Sequence, residues 1–240
     1  MPLERNRRRS IIRDSVGVGL AVGAYAISFG ALGTTNGLSI LQTQLLSLVL
    51  FSGASQFAVV SIIGAGGSPA SAIAAAALLG MRNGLYALRM SSLLQPKGWR
   101  RWATAHVTID ESTAMGLAQE RGDHEDRAAI ATGFWATGLS VFVLWNTFTF
   151  IGAAAASHIA DPRDFGLDAA IPAGFAALIA PRLTSGLTRR LALTCAVAAV
   201  AVATVVPPGV PVLVAASIAL IAAIVTSRRE SSLSTATGAS

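Results

Sequence analysis

The chain has 240 residues, of which 53% are hydrophobic and only 12% are charged, and its mean hydropathy is +0.61. This composition excludes an ordinary soluble domain and indicates a polytopic membrane protein in a lipid bilayer. The net charge of +6 does not indicate a nucleic-acid partner, because the basic residues lie in short clusters beside apolar segments, as the positive-inside rule predicts. The single cysteine, Cys195, lies in an apolar run and excludes a disulfide framework.

The first fourteen residues carry five arginines ahead of a long apolar run. A signal peptide would have a shorter apolar region followed by a small-residue cleavage site, so we interpret this run as a retained first span with a cytoplasmic N-terminus. Residues 15–227 are predicted to form a single transmembrane domain. The polar stretch 228–240 is predicted to be a disordered tail.

The fold class predicted from the hydropathy pattern is an all-α membrane helical bundle. About seven hydrophobic segments are expected, at 15–37, 39–66, 69–95, 129–157, 167–181, 188–206 and 209–227. In the first segment, small residues recur at spacings of three and four and form one face: Gly19, Gly23, Ala26, Gly30 and Gly33. This face is predicted to be a packing seam for another helix, because small residues let helix backbones approach closely in lipid.

The third segment contains an arginine far from either end, Arg82, in the sequence MRNG. A guanidinium in an apolar segment costs roughly 3 kcal/mol on insertion scales, so it is expected to face a polar cavity or a partner. Glycines at 80 and 84 flank Arg82 and Asn83. We therefore predict that this segment is broken or re-entrant near residues 80–84, since broken helices at membrane depth line cavities.

Lysine and arginine positions limit the topology. Basic clusters precede the first span and follow the third, fifth and last segments, the second of them at residues 97–101. Three arrangements remain open. Segment 69–95 dips in and returns at the break, or it crosses and residues 102–119 cross back, or 97–101 violates the rule, with three crossings in each of two inverted halves.

The fourth and fifth segments faintly echo the first and second. In both places a long helix is followed by a polar turn, at 34–39 and 161–168, and then by a Gly-Leu pair. An internal repeat is a common construction in transporters, and it would divide the domain into halves at 15–120 and 129–227. The charged loop 119–127 would be the linker.

Asp110 and Glu111 are the only carboxylates between Asp14 and Glu120. Adjacent carboxylates in a low dielectric do not ionise together easily, so the pair is a candidate for proton coupling. The alternative is a solvated pair at a helix end. His106 stands four residues before Asp110, but no second histidine lies at ligand spacing, so no metal site is expected. Since phosphate-binding and G-x-S-x-G motifs are also missing from the sequence, neither an enzyme nor a cofactor is expected.

Four short motifs carry a resemblance to a known family. They are FSGASQF at 51–57, MRNGLYALR at 81–89, the Asp-Glu pair at 110–111, and FGLDAAIPAGF at 165–175. In that order they resemble the AzlC-type branched-chain amino acid permease family, over about residues 17–182. The matching positions are Gly53, Gln56, Arg82, Tyr86, Asp110, Glu111, Asp168 and Pro172. The family usually has an asparagine and a histidine where this chain has Gly80 and Asn83, which leaves the exact substrate open.

The resemblance implies a multi-pass permease of the inner membrane that exports branched-chain or other small apolar amino acids with a small AzlD-type membrane subunit. The expected substrate-binding residues are Gln56, Arg82, Asn83, Tyr86 and Gly53, and the expected proton-coupling residues are Asp110, Glu111 and Asp168. For Gln56 the alternative is an interhelical hydrogen bond, and for Asp168 it is a helix cap. A channel or pore for a small polar solute is the alternative function.

Overall fold

The computed structural model describes residues 4–120, 126–158, 180 and 183–237, with side chains to residue 226 in the last helix. These residues form nine helices and no strand, which confirms the all-α membrane bundle. The helices are α1 (Arg5–Thr35), α2 (Ile40–Val49), α3 (Gly53–Gly64), α4 (Pro69–Leu94), α5 (Arg100–Val107), α6 (Asp110–Leu117), α7 (Arg127–Ala156), α8 (Gly186–Ala203) and α9 (Val210–Thr237). By length and composition, α1, α7 and α8 can each cross a membrane.

The predicted break near residues 80–84 is wrong. α4 is a single helix of 26 residues that passes through Gly80, Arg82 and Gly84 without interruption. An interior glycine costs only about 1 kcal/mol of helix stability, and most of the other residues in α4 are good helix formers. The one proline in α4, Pro69, occupies the first turn, where it breaks no hydrogen bond.

The break lies instead in segment 39–66, which was predicted to be one span. α2 ends at Val49 and α3 begins at Gly53, with a turn at residues 50–52. The outer ends of both helices lie beside the end of α1. Thr43 of α2 packs on Gly33, and the Asn36 side chain donates to the Val60 carbonyl of α3 at 3.3 Å. The pair α2–α3 is therefore a re-entrant hairpin.

A second re-entrant hairpin, α5–α6, enters from the other side. It begins beside the end of α4, where Arg101 donates to the Pro96 carbonyl at 3.2 Å, and its far end lies by the ion pair of Arg89 with Glu120 at 2.7 Å. The turn between the two helices packs on the middle of α7, where Val107 contacts Gly138. Residues 102–119 thus return to the side from which they came.

The two longest helices, α1 and α7, run parallel and in close contact. Cβ atoms added at Gly19 and Gly23 would lie 2.8 Å from the Cβ atoms of Ser140 and Leu144, and Gly30 lies directly against the backbone of Thr149. The predicted small-residue seam is confirmed, and its partner along most of its length is α7 of the same chain. The seam therefore gives no support for a separate subunit at this face.

One side of the bundle carries the starts of α1 and α7 and the end of α4, and we call it the basic side. Arg7 pairs with Asp126 at 2.6 Å, and Arg127 donates to Gln95 at 3.3 Å. The turn between α8 and α9 lies at the opposite side, where the Ser71 hydroxyl donates to the Pro208 carbonyl at 3.3 Å. The start of α8 and the end of α9 therefore point back toward the basic side.

This arrangement differs from all three topologies drawn from the sequence. α4 runs from the side that carries the end of α1 to the basic side, and residues 97–101 reach the basic side because the outer ends of α2 and α3 both lie beside the end of α1. All four basic clusters can then share one side without violating the positive-inside rule.

Residues 4–120 contain an inverted pair of units. α1 is followed by the hairpin α2–α3, and α4, which runs the opposite way, is followed by the hairpin α5–α6. The division into halves at 15–120 and 129–227 stays a prediction. The proposed echo of the second segment at 167–181 lies outside the described residues.

Cysteine labelling tests the re-entrant hairpin in a background with Cys195 replaced by serine. We expect Thr35→Cys and Ala65→Cys, both at exposed positions, to react with an impermeant thiol reagent from the same side of the membrane. Lys97→Cys should react only from the other side. If positions 35 and 65 react from opposite sides, segment 39–66 crosses and the hairpin is refuted.

Candidate functional site

The turns of the two hairpins meet near the middle of α7. Ring centroids of Phe51 and His106 lie 6.0 Å apart, and both rings pack on Phe142, at 5.1 and 5.6 Å. α3 and α6 both begin at this level, so two helix N-termini with their positive partial charge lie at mid-depth. We take this junction as the candidate site.

Arg82 of α4 and Asp110 of α6 form an ion pair, with 2.9 Å between Nη1 and Oδ2. The two side chains are 37% and 16% exposed, so Asp110 is not a solvated surface group. Nε of Arg82 is buried and makes no hydrogen bond within the described residues. The pair joins α4 to the first turn of α6, where carboxylates also favour the helix dipole.

Gln56 is fully buried in α3 and reaches back across the break to α2. Its Nε2 donates to the Ser47 carbonyl at 3.2 Å, which is the interhelical bond considered from the sequence. Its Oε1 is buried and accepts no hydrogen bond within the described residues. Gln56 can therefore keep its interhelical hydrogen bond through Nε2 and contact a ligand through Oε1.

The other residues expected from the sequence lie on α3, α4 and α6 or outside the described part of the chain. Gly53 begins α3 against the indole of Trp145, where an added Cβ would lie 3.3 Å from Cη2. Asn83 and Tyr86 are half-buried on α4 close in sequence to Arg82, and Asn83 Oδ1 is a buried acceptor without a hydrogen bond among the described residues. Glu111 is half-buried in the first turn of α6. Asp168 and Pro172 lie outside the described residues.

The structure adds side chains that sequence reasoning missed. Tyr25 of α1 lies 5.1 Å from Phe57 and 6.4 Å from Trp145 between ring centroids. The Tyr25 hydroxyl and the Trp145 Nε1 are both buried without a hydrogen-bond partner in the described part of the chain. Such groups cost free energy in an apolar core unless a ligand or water satisfies them.

Two hydrogen bonds between α2 and α7 form a ladder on the same face of each helix. Gln44 Nε2 donates to Asn146 Oδ1 at 3.2 Å, and the Ser47 hydroxyl lies 3.4 Å from that of Thr149. Polar residues three apart in both segments were a signal that the sequence offered. The ladder holds the first half of the broken helix against α7.

His106 and Asp110 belong to different helices, so they do not share one helical face. No cluster of three or more His, Cys, Asp and Glu residues that could hold a metal ion occurs in residues 4–120, 126–158 and 183–226.

The part of the chain that holds both hairpins resembles a known family. The family model described as AzlC protein matches residues 17–159, more than half of the chain. The chain belongs to the AzlC family. It is therefore a multi-pass membrane transport protein for amino acids, from a transporter family that works with a small partner. No curated protein matches the chain, and no solved structure matches it.

Proposed function

We propose that this AzlC protein exports branched-chain or other small apolar amino acids across the inner membrane, driven by an ion gradient and assisted by a small AzlD-type subunit. The observation that carries the proposal is the Arg82–Asp110 pair, located at the depth where two half-helices begin. Charges at membrane depth usually serve transport, because their desolvation is costly.

The site offers groups for each part of a zwitterionic substrate. Arg82 and the free amides at the start of α3, beside Gly53, suit a carboxylate. Gln56 and the carbonyls of the broken helix suit an ammonium group. Asn83 and Tyr86 would complete the polar side, and the alanine-rich surface of α4 would receive the aliphatic side chain.

Asp110, Glu111 and Asp168 are proposed to couple transport to protons. While Asp110 is ionised, it holds Arg82 and so ties α6 to α4. Its protonation would remove the charge that holds the guanidinium, and the α5–α6 hairpin could then separate from α4. Arg82 would at the same time become available to a substrate carboxylate. Proton loading and conformational change are thereby linked.

A carrier is favoured over a channel because the turns of the two hairpins are in contact, with Phe51 and His106 both packed on Phe142. Inverted repeats with binding at their interface are the usual construction of alternating-access carriers. A channel would give flux without fixed stoichiometry to an ion gradient.

Export is tested with cells loaded with leucine- or valine-containing dipeptides. We expect the intracellular concentration of the amino acid to fall faster when the gene is present together with the small partner gene.

Proteoliposomes with this polypeptide alone should show less flux than those with both subunits, and full export by the single chain would contradict the partner proposal.

Cysteines at positions 5 and 186 should be unreactive from outside intact cells, since the basic side is proposed to be cytoplasmic.

Glu111→Gln tests the proton coupling. The variant should reach the membrane at the wild-type level, lose pH-driven efflux, and keep most substrate exchange, because exchange needs no net proton movement. Efflux is measured after an external pH jump, and exchange is measured with labelled leucine on both sides. Wild-type efflux with wild-type pH dependence would remove Glu111 from the coupling mechanism.

A further inference from the structure

The contact of α2 with α3 and α7 contains several buried, uncharged oxygen atoms. Gln56 Oε1 and Gln44 Oε1 are both shielded from solvent without a hydrogen bond among the described residues. The hydroxyls of Ser47 and Thr149 are fully buried in the same ladder. No charged residue occurs between Asp14 and Arg82 in the sequence.

The surrounding bonds determine which amide atom is left over. The Ser47 carbonyl can only accept, so the nitrogen of Gln56 must face it and the oxygen must face away. The Phe142 carbonyl likewise fixes Nδ2 of Asn146, at 2.8 Å, and Asn146 Oδ1 then requires the nitrogen of Gln44. If the side-chain amide of either glutamine were turned by 180°, its oxygen would face another acceptor, the Ser47 carbonyl or Asn146 Oδ1. The amide atom left without a hydrogen bond is therefore the oxygen in both glutamines.

Two free acceptors favour a positive ligand, Gln44 Oε1 on the middle of α2 and Gln56 Oε1 near its C-terminal end. A helix C-terminus carries about half a negative elementary charge, which adds to the partial charges of the amide oxygens. Because the site has no carboxylate of its own, it suits one positive charge better than the two of Ca²⁺ or Mg²⁺. C-terminal ends and unwound carbonyls of broken helices bind monovalent cations in other transporters.

We propose that the α2–α3 break is a binding site for a monovalent cation, held by Gln56 Oε1 and Gln44 Oε1 with the Ser47 and Thr149 hydroxyls. Two sources share this chemistry, the ammonium group of the substrate and an alkali ion. The first source rests on the proposed export function, and the second does not. In either case Gln56 joins α2 to α3, so that occupancy stabilises the hairpin.

The test uses the purified full-length chain in detergent, at constant ionic strength set with choline chloride. The thermal unfolding midpoint is titrated separately with NaCl, KCl and isopentylamine hydrochloride, an amine without a carboxylate. We expect a saturable rise with at least one of them, because a ligand that binds only the folded state raises the midpoint. A response to isopentylamine identifies the ammonium source, and a response to Na⁺ or K⁺ identifies the alkali source.

Gln56→Met should weaken that response about ten-fold or more, as expected for loss of a hydrogen bond to a charged group. The matched control is Gln42→Met, whose exposed side chain caps the start of α2 and lies outside the ladder; it should keep the wild-type affinity. If Gln56→Met does not fold, Gln44→Met replaces it and should also weaken the cation response about ten-fold or more, because it removes the other free amide oxygen.

The site is refuted if no cation gives a saturable response in the wild type, as for a site that holds only water. Unchanged affinity in Gln56→Met, or in Gln44→Met where Gln56→Met does not fold, would refute it equally. The export function and the cation site can fail independently of each other. Dipeptide-loaded cells that show no export, together with a Gln56-dependent cation response, would overturn the function and keep the site. Normal export without any cation response would keep the function and overturn the site.

Discussion

Arg82→Gln and Asp110→Asn should each abolish amino-acid efflux and lower the free energy of unfolding by about 3 kcal/mol, because each removes one partner of an ion pair whose carboxylate is only 16% exposed. We give the lower end of the range for buried pairs because Arg82 is 37% exposed. Thermal unfolding in detergent measures the stability, and the dipeptide-loaded cells measure the efflux.

The double variant Arg82→Gln/Asp110→Asn should recover most of the lost stability and none of the transport. It removes both charges together, and uncharged partners can pack or hydrogen-bond at little cost. The matched control is Arg89→Gln. Arg89 lies on the same helix as Arg82, and its ion pair with Glu120 is more exposed than the Arg82–Asp110 pair. That change should cost less than about 1 kcal/mol and leave efflux intact. Efflux by the double variant would show that the pair is only structural.

Gly30→Ala should prevent assembly of the bundle, with a loss of several kcal/mol in the free energy of unfolding. A Cβ at Gly30 would overlap the Thr149 carbonyl and come within 2.7 Å of the Ala153 nitrogen, and neither backbone atom can move without separating α1 from α7. Overpacking in a well-packed core usually costs about 1–3 kcal/mol, and contact with backbone places this site at or above that range. Membrane levels and the unfolding midpoint provide the measurement.

Gly17→Ala is the control in the same helix, because nothing lies within 4 Å of the added methyl group. It should be neutral or stabilising by up to about 1 kcal/mol, since alanine favours the helix. Equal levels of the Gly30→Ala and Gly17→Ala proteins would contradict the close packing of α1 on α7.

Local sequence signals predicted the membrane class and the small-residue seam, and they singled out Gln56, Arg82 and Asp110 as candidates. Each depends on composition or on spacing within one helix, as Gly19, Gly23 and Gly30 illustrate. The pairing of Arg82 with Asp110 was not predicted, although both residues were singled out, because two separate helices bring them together.

The position of the helix break could not be predicted from local sequence signals. Glycines at 80 and 84 suggested a break, yet α4 continues because its backbone bonds outweigh the small cost of each glycine. The actual break at residues 50–52 contains neither glycine nor proline. It is stabilised by distant contacts, with Phe51 against Phe142 and Gln56 bonded to Ser47.

Composition and residue spacing were enough to establish a helical membrane bundle whose longest helices pack closely through small residues. Hydropathy and periodicity express those properties residue by residue. The two half-helix hairpins that enter from opposite sides and meet beside Phe142 depend on contacts between distant segments, because the free energy of a broken helix depends on which groups satisfy its open backbone.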